Sequence, residues 1–131
     1  MAEYQKTREE VRDFLQEIRQ LTKEDKAMLN NMPWKGKVNK TLTYMAETGI
    51  KQEDMENVIC DLQVADYSYT ADDRNKHFKD EQIWVFGKAC VIVDEEEDIY
   101  IKLKIKIIGE EILLIMSFHP EEPKDENMKL K

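Results

Sequence analysis

The chain has 131 residues, of which 41% are hydrophobic and 37% charged, and its formal net charge is −8. This length suits one domain with a modest core, and this composition excludes an intrinsically disordered chain. The acidic total weighs against nucleic-acid binding, because it repels a phosphate backbone.

Targeting and redox features favour the cytoplasm. No stretch approaches the length of a membrane span, and the polar start of the chain does not have the form of a signal peptide. The two cysteines are Cys60 and Cys90, and neither belongs to a C-x-x-C pair. Isolated cysteines are typical of a reduced, intracellular protein. We therefore expect a cytoplasmic protein with no membrane partner.

Residues 7–30 carry the first helical pattern. Apolar residues at spacings of three and four form one stripe, which consists of Val11, Phe14, Leu15, Ile18 and Leu21. Thr7 and Glu10 have capping-box spacing, and a second start signal at residues 22–25 either breaks the helix or restarts it. Loop residues at 30–36 end the pattern, so residues 1–35 form a predicted N-terminal helical segment.

Two further helices are predicted before the strands. The second runs over residues 39–48, with Asn39 as N-cap and Gly49 at the C′ position. Its predicted inward residues are Leu42, Met45 and Ala46. The third spans residue 52 to about residue 62, and its predicted inward residues are Met55, Val58, Ile59 and Leu62. Residues 64–81 have no long periodic run and are predicted as a loop.

The apolar period then changes from about 3.6 to 2, which indicates strands. One strand is predicted over residues 82–88, with a kink at Gly87 and a continuation to Val93. The acidic residues 94–98 form a predicted turn, and strands follow over 99–107 and 112–119. Residues 121–131 are predicted as a polar tail. The sequence thus predicts one α+β domain over residues 1–120, with N-terminal helices packed on a C-terminal antiparallel sheet.

The strand over residues 99–107 alternates strictly. Its odd positions are apolar, and its even positions are Tyr100, Lys102, Lys104 and Lys106. Because successive side chains point to opposite faces of a strand, one face is buried and the other carries a tyrosine and three cations. An anion such as a phosphate backbone would relieve the repulsion among the lysines. The alternative is a solvated edge strand guarded by lysines.

The register of the last hairpin brings more side chains to this face. The apolar residues predicted to share the core face from the last strand are Ile112, Leu114, Met116 and Phe118. A two-residue loop at Gly109 and Glu110 gives the parity that this arrangement needs. The predicted opposed pairs are Ile108–Glu111, Lys102–Ser117 and Tyr100–His119. Because opposed Cβ atoms are about 4.5–5.5 Å apart, a tyrosine, a lysine, a serine and a histidine converge on the non-core face.

A tyrosine, a histidine and a lysine side by side suit the metal-free cleavage of RNA. Histidine titrates near neutrality and can act as acid or base. Tyrosine can donate a proton or position the phosphate, and lysine supplies positive charge where negative charge develops. The two histidines, His77 and His119, form a poor zinc set, the acidic run lacks calcium-loop spacing, and no glycine-rich phosphate loop is present. We therefore predict no metal and no cofactor.

A series of short motifs over about residues 40–119 points to one family. The motifs are the helical pattern of residues 42–62, the pair Asp66-Tyr67, the strand start Ile83-Trp84, the segment Ile99-Tyr100-Ile101-Lys102-Leu103 and the closing Ser117-Phe118-His119. In order and spacing, this series resembles the MqsR (motility quorum-sensing regulator) toxins, which are bacterial mRNA interferases with a RelE-like fold. The resemblance implies a RelE-like fold, an RNA substrate and a protein antitoxin as partner. Residues 1–35 are longer than the usual N-terminal segment of that family.

The resemblance also implies site residues. The family's active-site tyrosine maps onto Tyr100, and a basic residue that is usually lysine maps onto His119. Where the family has a further lysine this chain has Ser68 and Tyr69, and where it has a glutamine this chain has Val85. The fold inference therefore rests on more matched positions than the activity inference.

The sequence leads to two main hypotheses. In the first, the chain is a toxin-like, metal-free endoribonuclease in which Tyr100 positions phosphate or donates a proton, His119 is the acid or base, and Lys102 stabilises charge. The predicted substrate contacts are Lys104, Tyr69, Lys88 and Ser117. In the second, a non-catalytic protein of the same fold binds RNA or a partner protein through the tyrosine and lysine face. A further hypothesis is an interaction protein whose N-terminal helix docks on a partner.

Overall fold

The structure is a computed structural model that describes residues 3–30, 39–72 and 82–120. Within these ranges it contains three α-helices, one 3₁₀ turn and six strands. In chain order the elements are β1 (Glu3–Tyr4), α1 (Arg8–Lys23), β2 (Ala27–Leu29), α2 (Lys40–Thr48), α3 (Gln52–Cys60), the 3₁₀ turn (Val64–Asp66), β3 (Tyr67–Asp72), β4 (Gln82–Ile92), β5 (Glu95–Ile108) and β6 (Glu110–Pro120).

The described strands form one sheet with the order β1-β3-β4-β5-β6-β2. Neighbouring strands are antiparallel except β6 and β2, which are parallel. α1 and α3 pack on one face of the sheet, which we call the core face, and α2 contacts β6. This confirms the predicted α+β class. The opposite face is called the distal face, and it carries Gly87, Tyr100, Lys102, Ser117 and His119.

α1 begins and packs as its sequence predicts. Thr7 Oγ1 accepts a hydrogen bond from the Glu10 N–H at 3.1 Å, and Glu10 Oε1 accepts one from the Thr7 N–H at 2.9 Å, which completes the capping box. All five residues of the predicted apolar stripe are buried. The Phe14 ring stacks on Trp84 with centroids 4.0 Å apart, so α1 is fixed against the middle of the sheet.

α2 and α3 have the predicted bounds within two residues, but α2 turns a different side inward. Asn39 caps α2, and Gly49 ends it with a φ of 83°. The buried residues of α2 are Thr41 and Tyr44, and of the predicted three only Met45 packs against the core. α3 buries Met55 and Ile59 as predicted. The difference in α2 arises because this helix packs beside the edge of β6 and not over an apolar surface alone. At this edge Thr41 accepts a hydrogen bond from the backbone N–H of Phe118.

The helical pattern predicted over residues 7–30 is broken at the second start signal, which is one of the two outcomes predicted for residues 22–25. α1 ends at Lys23, and Asp25 has a positive φ of 64° that turns the chain out of the helix. β2 then forms at one edge of the sheet, while β1 forms at the other. Strands of two and three residues are too short to show a period of two. Residues 3–30 therefore contain one helix and two short edge strands that complete the sheet and its core, and residues 31–35 lie outside the described part of the chain.

The predicted loop over residues 64–81 contains β3. This strand pairs with β4 from the Asp72–Gln82 pair to the Tyr67–Phe86 pair, and the pairing shifts at Ser68. Because the bulge lies at the second of six residues, only four residues remain in continuous register and the strand has no clean period. The remainder of that predicted loop, residues 73–81, is outside the described residues.

The hairpin between β4 and β5 turns more tightly than predicted. Ile92 pairs with Glu95, so only Val93 and Asp94 lie in the turn, with φ values of 50° and 68°. Positive φ at both positions is the geometry of a type I′ turn. Most of the acidic run therefore lies in β5 and not in a turn. The pairing of β4 with β5 is continuous through Gly87, so the predicted kink does not interrupt the register.

The hairpin between β5 and β6 follows the predicted register at one end only. Tyr100 opposes His119 and Lys102 opposes Ser117, as predicted, but Met116 is then skipped. Beyond this bulge the pairing is shifted by one residue, so the predicted pair of Ile108 with Glu111 is wrong and Ile108 pairs with Glu110 instead. The shift turns Leu113 and Ile115 to the core in place of the predicted Ile112, Leu114 and Met116.

Two further features concern the ends and the surface of the domain. No helix in residues 3–30, 39–72 and 82–120 is long and apolar enough to cross a bilayer. The predicted polar tail over residues 121–131 lies outside the described residues.

Candidate functional site

Tyr100 and His119 form the centre of the candidate site on the distal face. They are directly opposed on β5 and β6, and their ring centroids are 5.6 Å apart with a tilt of 39°. Lys102 lies one step further along the same face, with Nζ 6.0 Å from the centroid of the Tyr100 ring. Ser117 opposes Lys102. The structure therefore brings together the four side chains for which the sequence predicts convergence.

His119 lies at the end of β6, and one hydrogen bond determines which of its ring nitrogens carries a proton. Its Nδ1 lies 3.0 Å from the backbone oxygen of Pro120. Because a carbonyl oxygen only accepts hydrogen bonds, this contact requires a proton on Nδ1. In the neutral ring, Nε2 then carries the lone pair and can accept a proton from another group.

The strand end that carries His119 is fixed by α2. The backbone N–H of Phe118 donates to Thr41 Oγ1 at 2.9 Å, and Phe118 itself is fully buried. β2 reaches only as far as the Leu29–Ile115 pair along β6, so this N–H would otherwise lack a strand partner. Thr41 therefore anchors the backbone of β6 between Ser117 and His119.

Lys102 is an electrostatically costly residue. Burial lowers the pKa of its ammonium below the ordinary value for lysine. Within the described ranges, no carboxylate forms an ion pair with it. A half-buried ammonium without a counter-ion would gain free energy when an anion binds beside it. This is the strongest electrostatic sign of an anion position on the distal face.

Two of the predicted substrate contacts are buried or ion-paired. Lys104 is only 3% exposed, so its side chain is not at the surface. Lys88 has the parity of the core face, and its ammonium lies 3.7 Å from Asp61 and 3.7 Å from Asp66. Burial and these ion pairs weigh against the predicted contacts of the two lysines with a ligand beside Tyr100, which stay predictions. The alternation of a strand gives the face of a residue, but it does not give the depth of the residue or its ion pairs.

A groove lies on the other side of Tyr100 and contains Tyr69. It has a volume of about 500 Å³ and runs over β4 between β3 and β5. Tyr69 and Tyr100 line it from the two flanking strands, Gly87 and Val85 line it from β4, and Asp98 lines it from β5. Sequence analysis identified Tyr69 and Tyr100 but missed Gly87 and Asp98. A glycine inside a strand, opposite a tyrosine, is the signal that could have indicated the hollow.

The arrangement can support acid–base chemistry on a phosphate ester. Nε2 of His119 can accept a proton, the hydroxyl of Tyr100 on the adjacent strand can donate one, and Lys102 can supply positive charge. The described residues contain no group of three or more histidine, cysteine, aspartate or glutamate side chains placed to hold a metal ion. No protein-family model matches this chain, and no curated protein matches it.

Proposed function

We propose that the protein is an endoribonuclease that cuts RNA with side chains as acid and base, in the manner of a RelE-like mRNA interferase of the MqsR type. The observation that carries the proposal is the cluster of Tyr100, His119 and Lys102 on the distal face. The sequence resemblance independently assigns Tyr100 and the position of His119 to an active site. A cytoplasmic location and a protein antitoxin as partner belong to the same proposal.

The proposed reaction uses the 2′-hydroxyl of the substrate as nucleophile. His119 Nε2 removes the proton from this hydroxyl, and O2′ attacks the adjacent phosphorus. The bond from phosphorus to O5′ breaks, and the hydroxyl of Tyr100 gives its proton to the leaving oxygen. Lys102 stabilises the negative charge that builds up on the phosphoryl oxygens. The products are a 2′,3′-cyclic phosphate and a 5′-hydroxyl.

Purified wild-type protein and two variants, Tyr100→Phe and His119→Ala, test this proposal on a long mRNA in the presence of EDTA. We expect wild type to cut the RNA and each variant to cut about 10²–10⁴-fold more slowly, which is the usual contribution of an acid or base. Lys88→Met is a matched control because its ammonium lies on the core face, and it should cut at the wild-type rate. The proposal fails if wild type leaves the RNA intact or if both site variants cut at its rate.

A second candidate function is RNA or protein binding without catalysis. It is favoured by the net charge of −8 and by Val85, which is 2% exposed at a position where the related toxins have a glutamine. Binding that weakens as salt is added, with no cleavage at any salt concentration, supports this second function. Cleavage that depends on His119 excludes it.

A further inference from the structure

The bulge in β6 decides which face of the sheet carries His119. Ile115 and Phe118 are both fully buried on the core face, although they are three residues apart. Strict alternation would place them on opposite faces, and the skipped residue Met116 is the extra residue that brings both to the core. Beyond the bulge, His119 therefore lies on the distal face opposite Tyr100. Without the extra residue, His119 would share the face of Ile115.

The outer edge of β6 is hydrogen-bonded on both sides of this bulge. Before it, the backbone N–H of Asn30 donates to the backbone oxygen of Ile115 at 2.9 Å. After it, the backbone N–H of Phe118 donates to Thr41 Oγ1 at 2.9 Å. β2 ends at Leu29, so α2 supplies through Thr41 the partner that the neighbouring strand no longer gives.

The two anchors are joined to each other. The side chain of Asn39 donates from Nδ2 to the backbone oxygen of Asn30 at 3.2 Å. Its Oδ1 accepts a hydrogen bond from the Leu42 N–H at 3.1 Å and so caps α2. Asn30, Asn39 and Thr41 thus form a hydrogen-bonded clamp that spans the bulge and ties the first turn of α2 to the edge of the sheet.

The clamp holds the strand end that orients the His119 ring. Nδ1 of His119 lies 3.0 Å from the backbone oxygen of Pro120, and the ring centroid lies 5.6 Å from that of Tyr100. Both distances depend on the path of the backbone immediately after the bonded N–H of Phe118. A displacement of about 1 Å at a reacting group can cost a factor of about 10² in rate, so this path matters to the candidate site.

We infer that Thr41 is a positioning residue of the candidate site, whose hydroxyl holds β6 beyond the bulge so that His119 faces Tyr100. Thr41 is 2% exposed, so it acts through the backbone of β6 and not on a substrate. The site is therefore in its working geometry only while α2 is docked on β6. The expected effect on cleavage rests on the proposed endoribonuclease function, but the placement of His119 can be measured without RNA.

The first test reads the His119 ring by NMR in the full-length chain, at a pH where the ring is neutral. Thr41→Val keeps the shape of the side chain and removes the acceptor, whereas Thr41→Ser keeps the hydroxyl. Wild type and Thr41→Ser should show the Nδ1–H tautomer and a nuclear Overhauser effect between the rings of Tyr100 and His119. Thr41→Val should show a mixture of tautomers and lose this effect, because the N–H of Phe118 no longer has its partner.

Two controls belong to this measurement. His119→Ala identifies the ring signals, since they disappear in this variant. Thr43→Val makes the same substitution at an exposed threonine of the same helix, and it should leave the His119 signals as in wild type. If Thr41→Val does not fold, Asn39→Asp replaces it, because this change keeps the helix cap and removes the donor to Asn30. Wild-type His119 signals in the folded variant overturn the inference.

The second test measures the cleavage of a long mRNA by the same variants, at a temperature where circular dichroism shows each to be folded. Thr41→Val should lower kcat about 10–10²-fold with KM unchanged, and Thr41→Ser should recover most of the rate. Ile59→Val weakens the core from α3 and should keep the wild-type kcat, which separates positioning from a general loss of stability. A Thr41→Ser variant that behaves like Thr41→Val overturns the role of the hydroxyl.

The outcomes separate this inference from the proposed function. If wild type leaves RNA intact, the endoribonuclease assignment fails, and the His119 signals still decide the role of Thr41. If wild type cuts RNA, and Thr41→Val cuts it at the same rate with unchanged His119 signals, the positioning role is wrong although the enzyme assignment stands. A slower Thr41→Val variant with wild-type His119 signals also overturns the positioning role.

Discussion

Lys102 and Lys88 differ at the scale of single residues in how their positive charge is compensated. Lys88 lies between two carboxylates, Asp61 and Asp66, each 3.7 Å from its nitrogen. Lys102 is desolvated enough that the pKa of its ammonium is lowered, and it has no such pair in the described part of the chain. A desolvated cation whose ion pairs with carboxylates are absent from the described residues is typical of a ligand site.

Lys102→Met should make the protein more stable and less able to bind RNA. Methionine keeps the length of the side chain and removes the desolvated charge, so we expect the free energy of unfolding to rise by about 0.5–2 kcal/mol. RNA affinity should fall and should depend less on salt. Thermal unfolding and filter binding at several salt concentrations measure the two effects.

Lys88→Met is the matched comparison for this prediction. It leaves two carboxylates without their cation, so stability should fall by up to about 1 kcal/mol while RNA affinity is unchanged. The interpretation of Lys102 is contradicted if Lys102→Met destabilises the protein as Lys88→Met does, or if it binds RNA as tightly as wild type.

At the scale of elements, the last strand explains why the register was only half predictable. Residues 112–116 are all apolar, so alternation cannot decide which of them face the core. The polar residues Ser117 and His119 fix the parity at their own end, where the prediction is confirmed. The bulge at Met116 then changes the parity for the rest of the strand. No local pattern in the sequence marks this bulge.

The β4–β5 hairpin illustrates a second limit of local patterns. The acidic run suggested a five-residue turn, but the chain turns at Val93 and Asp94. A type I′ turn favours asparagine and glycine, and a β-branched residue at a φ of 50° is strained. Neither residue is a strong turn signal, which is why the prediction placed the turn too late.

Replacing this turn by the preferred residues should stabilise the hairpin. In the double variant Val93→Asn, Asp94→Gly, both residues adopt positive φ readily, so we expect a gain of about 1 kcal/mol in the free energy of unfolding. Urea denaturation measures it, and RNA binding should not change because the turn is outside the groove and the cluster. An equal or lower midpoint contradicts the assignment of a strained type I′ turn.

At the scale of the whole molecule, the acidic charge is partly held in a shared proton. Interaction with the Glu111 side chain on β6, together with burial, raises the pKa of Glu17 on α1 to about 7. Its ordinary value is 4.5. Between these values the folded state binds more protons than the unfolded state, so the stability from this pair is present at low pH and is lost as pH rises toward 7.

Glu17→Gln should remove this dependence. An amide can donate to Glu111 at every pH, so the variant should exceed wild type in stability by up to about 1 kcal/mol at pH 8 and by less at pH 5. Melting temperatures from pH 5 to pH 8 measure the difference. Glu9→Gln, exposed on the same helix, is the control and should follow wild type. A difference between Glu17→Gln and wild type that does not grow with pH contradicts the shared proton.

The sequence predicted the parts of the molecule that have long amphipathic patterns. α1, α3 and β5 have enough residues for their period to be unambiguous, and the Tyr100–His119 pair follows from that period plus one parity argument. β1 and β2 could not be predicted because they form only by hydrogen-bonding to distant partners. The burial of Lys104 and the ion pairs of Lys88 likewise depend on tertiary neighbours.

The chemistry of the cut ends tests the central claim most directly. Mass spectrometry of RNA fragments produced by wild type in EDTA should find 2′,3′-cyclic phosphate and 5′-hydroxyl ends, and these ends should disappear with His119→Ala. Attack by the internal 2′-hydroxyl requires such ends, because the leaving oxygen is O5′. Intact RNA, or fragments with 5′-phosphate ends, would contradict the assignment of Tyr100 and His119 as an RNA-cleaving pair.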